Sequence, residues 1–274
     1  MVVPLLCAFA RATQNNRVTG ICWSSALFSL ELTRQGEVTV ELEPEISGGN
    51  IVLLGNFNPT IFHPSWFERN GLATAEEAAN ATVEVVHPEI TSFTMGYWSL
   101  RVQPERVTIE TVTAPWIRLA DLLARVFGEF LPHTPIYRAG INASYHFRIG
   151  SVELRTKWGR ELAPLKLWGE WGERIERVSR ETPDLTGGLQ VLSVREPWRD
   201  NGFSGHWMTQ IEPSVRIPGN SGVFVQVNHE VQSLEEDPAR KSSSLIRYIE
   251  TNFDKIVSDS EWIVDQVLSQ RPTK

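Results

Sequence analysis

The fourteen residues Ile136-Tyr137-Arg138-Ala139-Gly140-Ile141-Asn142-Ala143-Ser144-Tyr145-His146-Phe147-Arg148-Ile149 alternate more cleanly than any other stretch of the chain. Side chains on a strand point to opposite faces in turn. Tyr137, Ala139, Ile141, Ala143, Tyr145, Phe147 and Ile149 therefore share an apolar face, while Arg138, Gly140, Asn142, Ser144, His146 and Arg148 share a polar one. This pattern predicts a long central strand at 136–149 whose apolar face meets helices.

On the N-terminal side of this strand, Pro115 opens the clearest helical pattern. Ile117, Leu119, Ala120, Leu122, Leu123, Val126, Phe127 and Phe130 form a broad stripe that Leu131-Pro132 stops. That stripe is expected to cover the strand. Further upstream, Asn58 caps a helix that begins at Pro59 and restarts at Pro64, and Asn70-Gly71 ends it. Thr74-Ala75-Glu76-Glu77 is a capping box. Strands are expected at 2–9, 18–32, 38–42, 51–54, 83–87, 93–102 and 107–110. Turns are expected at 34–36 and 47–50, and a bulge near Tyr97-Trp98.

Downstream, 164–178 reads as a helix weakened by Gly169 and Gly172. Three strands follow at 189–194, 205–211 and 223–231, with 195–204 as a loop. A charged linker at 235–243 leads to two closing helices, 244–256 and 260–268. Runs of antiparallel strands followed by helices indicate the α+β class, with three-strand meanders each packed by helices and a helical C-terminus. The change of character after Gly150 suggests two α+β halves, 1–150 and 151–274, or one continuous domain.

Composition narrows the function classes. A formal charge of −7 argues against a general nucleic-acid or anionic-membrane binder, although a local basic groove is compatible with it. Two cysteines, Cys7 and Cys22, suit a reducing compartment and a cytoplasmic setting. No apolar run reaches the ~18–20 residues of a membrane span. The first ten residues lack a basic start and carry Pro4, so they are expected to stay in the mature chain as a strand.

The six histidines show no metal-binding spacing, and nucleotide and hydrolase motifs are missing; no cofactor is expected. The polar face of 136–149 is the candidate binding site. Arg138 and Arg148 lie about 33 Å apart at strand rise and cannot share a small ligand. A compact site narrows to His146 and Arg148 with Ser144 beside them, and an extended ligand could also use Asn142 and Arg138. Arginine, amide and imidazole groups suit a carboxylate, a phosphate or an acidic peptide. The plainer alternative is a solvated sheet face.

At Arg138-Ala139-Gly140-Ile141-Asn142-Ala143-Ser144-Tyr145 the chain resembles a large, sporadically distributed family of uncharacterised bacterial proteins. That family carries an R-[LI]-G-[LV]-R-Y-[IV]-N strand after a long apolar helix. Asn142 stands where the family has its second arginine, and Ala143 where it has tyrosine. The resemblance implies an α+β protein encoded near mobile or defence genes, with no activity to carry over.

The leading expectation is a non-enzymatic accessory protein that binds another protein chain, its own copy or a genetic neighbour. The alternative is an enzyme or binder for an anionic small molecule or nucleic acid at the polar face. An exposed tryptophan patch would favour the first, and an acidic metal cluster the second.

Overall fold

The computed structural model describes residues 42–181 and 188–272. The strands expected at 2–9, 18–32 and 38–42 fall outside the described residues, Leu42 excepted. The elements are β1 (Ile46–Gly55), α1 (Pro64–Arg69), α2 (Ala75–Ala79), β2 (Thr82–His87), β3 (Ile90–Met95), β4 (Trp98–Gln103), β5 (Arg106–Thr111), α3 (Ile117–Arg125), β6 (Ile136–Arg148), α4 (Val152–Leu162), α5 (Gly169–Glu181), β7 (Leu192–Asp200), β8 (Phe203–Pro213), β9 (Gly222–Ser233) and α6 (Pro238–Ser269). The fold is α+β, as the pattern predicts.

The meanders join rather than forming separate sheets. Nine antiparallel strands lie in the order β2-β3-β4-β5-β1-β6-β9-β8-β7. The strand at 136–148 is central, pairing with β1 on one edge and β9 on the other. The sheet thus takes strands from both sides of residue 150.

One face of the sheet is apolar and covered. Ile51, Leu53, Ile109, Ala139, Ile141, Ala143, Val225 and Val227 are all buried there. The long helix α6 packs on β6 and β9, and α3 lies beside it over β1 and β5. The stripe 117–130 was expected to cover β6; α6 takes most of that place, and Trp116 reaches Tyr145 with ring centroids 6.0 Å apart. Continuous α6, from Pro238 on, replaces most of the linker and both helices expected at 235–268. Its Ser260 is buried and donates to the Ile256 carbonyl at 2.7 Å, so it bonds inside the helix, which runs on through the position where a second helix was expected to start. No helix among the described residues is long and apolar enough to cross a membrane.

Glycines account for several further corrections. Gly48 and Gly49 sit inside β1, not in a turn. A β-carbon on Gly49 would stand 3.0 Å from the Trp116 indole, so the glycine lets α3's first turn approach the strand. The expected bulge at Tyr97 is a two-residue hairpin turn, Gly96-Tyr97, which pairs Met95 with Trp98 and keeps both buried. The expected loop 195–204 is mostly strand, turned at Asn201-Gly202 with φ of 46° and 83°. Tyr137 is exposed because the register with β1 slips between Leu54 and Gly55, leaving Tyr137 bulged out of the alternation. The helix α4, capped by Ser151 accepting from the Leu154 N–H, has no counterpart in the sequence reading.

Candidate functional site

The face of the sheet that no described helix covers is built in cross-strand rows, because directly paired residues share a face. The row through Asn142 runs Thr82, Thr94, Ser99, Glu110, Asn50, Asn142, Asn228, Met208, Arg195. At its centre three asparagines form a relay. Asn142 Nδ2 donates to Asn50 Oδ1 at 2.7 Å, and Asn228 Nδ2 donates to Asn142 Oδ1 at 2.6 Å.

The five residues singled out from sequence do lie along β6 on this face, but they do not act as one group. Arg138 Nη2 donates to Gln232 Oε1 at 3.3 Å, and its Nε stands 3.6 Å from Glu230, which also lies 3.4 Å from His206 Nε2. Ser144 donates to the Gly48 carbonyl at 3.1 Å. Arg148 shares no hydrogen-bond partner with His146. It donates to both oxygens of Glu45, to the Pro218 carbonyl and to Ser221. Those bonds pin the start of β1 and the β8–β9 loop to the end of β6.

His146 is held differently. Its Nδ1 is 2.7 Å from Ser214 Oγ, and Ser214 Oγ also accepts the backbone N–H groups of Arg216 and Ile217 at 3.2 Å each. A hydroxyl has one proton and two acceptor sites. With both sites taken, its proton goes to Nδ1, and the neutral imidazole carries its hydrogen on Nε2. The ring packs 4.8 Å from Phe224. Burial and, secondarily, the nearby Arg216 guanidinium hold the pKa of His146 below the ordinary histidine value.

His146 lines a groove of about 330 Å³ together with Ser144, Gly48, Asn50, Ser99, Glu110 and Arg216. Sequence reasoning missed Arg216, which belongs to the β8–β9 loop and carries no local motif. The cation that lines this groove with His146 is Arg216, and Arg148 is not among its lining residues. Among the described residues, no group of three or more histidine, cysteine or acidic side chains is placed to hold a metal.

A second feature stands apart from the sheet. Leu165–Trp168 forms a 3-10 turn that folds back on α5. Gly169 reverses the chain at φ 54°, and a β-carbon on Gly172 would fall 2.0 Å from the Leu165 carbonyl oxygen. Both glycines are therefore required by the close turn. The result presents Leu167, Trp168 and Trp171 to solvent, 76 %, 55 % and 51 % exposed, with the two indoles edge to face at 5.4 Å.

The chain matches no protein-family model and no curated protein.

Proposed function

We propose that this chain is a non-enzymatic binding protein that docks another protein through the aromatic turn of α5. The observation that supports this reading is the exposed trio Leu167, Trp168 and Trp171. Large apolar side chains grouped on a surface mark interaction sites, and tryptophan is prominent among residues that dominate binding energy. Trp171 and Ile175 lie four residues apart on α5, Trp168 reaches Trp171 from the preceding turn, and Glu170, Glu173, Arg174 and Arg177 flank them. The partner chemistry that fits is an apolar pocket that takes the two indoles, with charges of both signs at its rim. An accessory role in a bacterial multi-gene system, as the family resemblance implies, and the cytoplasmic setting that the two cysteines suit belong to the same proposal.

The test is native mass spectrometry of the full chain purified from its own host, beside Trp168→Ser/Trp171→Ser. A co-purifying chain should accompany the wild type and fall at least tenfold in the double variant, with melting unchanged. Retention of that chain by the double variant would refute docking at α5. A large drop in melting temperature would instead make the tryptophans internal packing.

A further inference from the structure

We infer that the groove beside His146 binds the anionic group of a small ligand, a carboxylate or a phosphate, through Arg216 and His146 Nε2. This inference is independent of the α5 interface.

Three features of the groove converge on an anion. The first is the locked tautomer: Ser214 spends its proton on Nδ1, so the neutral ring offers a hydrogen on Nε2. The second is Arg216, which makes no ion pair among the described residues and lines the same groove. Its guanidinium has five N–H donors arranged to meet carboxylate or phosphate oxygens in pairs. The third is Gly48. A β-carbon there would stand 3.1 Å from the Thr111 carbonyl oxygen, with Val112 Cγ1 at 3.5 Å and Ser144 Oγ at 3.6 Å, so the glycine leaves that space in the groove unfilled.

The far end of the groove has the opposite character. Glu110 pairs with Asn50 across β5 and β1, and Asn50 lies four residues along β1 from Ile46, the partner of His146. Two strand spacings and four residues of rise separate the Glu110 and His146 α-carbons by about 17 Å. With screening at physiological salt acting over ~8 Å, a carboxylate whose α-carbon lies that far off leaves the His146 N–H available to an anion. It selects instead for hydroxyl or amine donors on the remainder of the ligand. The volume is near the lower limit for small-molecule sites, about 300 Å³, which restricts the ligand to a small one.

The test titrates the 15N-labelled full chain with sodium phosphate and, separately, sodium succinate, against sodium chloride at matched ionic strength. Saturable amide shifts at Gly48, Ser144, His146 and Arg216 are expected with at least one of the two anions. Phosphate alone would assign a phosphate-bearing ligand, succinate alone a carboxylate, and both the shared chemistry. Arg216→Gln should weaken the response at least tenfold, and Arg216→Lys should fall between, keeping the charge but not the fork. The inference is overturned if chloride produces the same shifts, or if Arg216→Gln titrates like the wild type.

Discussion

Arg148 grips Glu45 with two nitrogens, Nε to Oε1 at 2.6 Å and Nη2 to Oε2 at 3.1 Å. The guanidinium fork matches the two carboxylate oxygens, and the hydrogen bond to Glu45 raises the arginine's pKa further. The same side chain closes onto the Pro218 carbonyl and Ser221. Arg148 is thereby a clasp across three segments of chain.

The clasp makes a stability prediction distinct from any binding role. Arg148→Ala should lower the melting temperature slightly, because the pair is 39 % and 42 % exposed and water competes for it. In a Glu45→Ala background the same substitution should cost less, since the shared bonds are already gone. Thermal melts of the four proteins measure this. Additive losses would show that the pair is not coupled.

The asparagine relay predicts a larger loss. Asn142→Ala removes both bonds and leaves Asn50 and Asn228 without their central partner in a partly buried row. At roughly 0.5–1.5 kcal/mol per hydrogen bond, unfolding by urea should be about 1–3 kcal/mol easier, with an unchanged m-value. A change below that range would mean that water replaces the amide without penalty.

Buried His229 predicts a pH dependence. Its ring lies 4.9 Å from Trp198 and 4.2 Å from Trp207, with Nε2 2.9 Å from the Tyr248 hydroxyl. Burial pushes its pKa down from 6.5 to about 4; the Lys255 charge also lowers it, against a smaller opposing effect than burial from Asp259. Between those values the unfolded chain binds a proton that the folded chain refuses. The contribution is therefore complete above pH 6.5 and is lost as pH falls toward 4. The lost stability amounts to about 3 kcal/mol at 1.36 kcal/mol per pH unit. Denaturant unfolding across this window should show the slope in the wild type and a flatter profile in His229→Phe. Parallel profiles would remove His229 as the cause.

Much of the frame was legible because short-range chemistry writes it. The alternation at 136–149 gave the central strand and its buried face, apart from Tyr137, where a slip against Gly55 broke the rhythm. The Asn58 cap and the Thr74–Glu77 capping box were readable because their donors and acceptors lie within three residues. The hairpin at Gly96 and the turn at Asn201-Gly202 were misread. A glycine signals either a turn or a close approach, and only the neighbouring chain distinguishes the two.

By itself, the sequence determined the α+β class and the polar and apolar faces of β6, since periodicity requires no partner. Tertiary structure alone decided what the polar side chains do. Glu45 and Arg148 meet across 103 residues, and Ser214 and His146 across 68. Those pairings consume Arg148 and bring Arg216 to His146 in its place. A side chain's free hydrogen-bonding capacity is what remains after its neighbours are satisfied, and here those neighbours come from distant strands and loops.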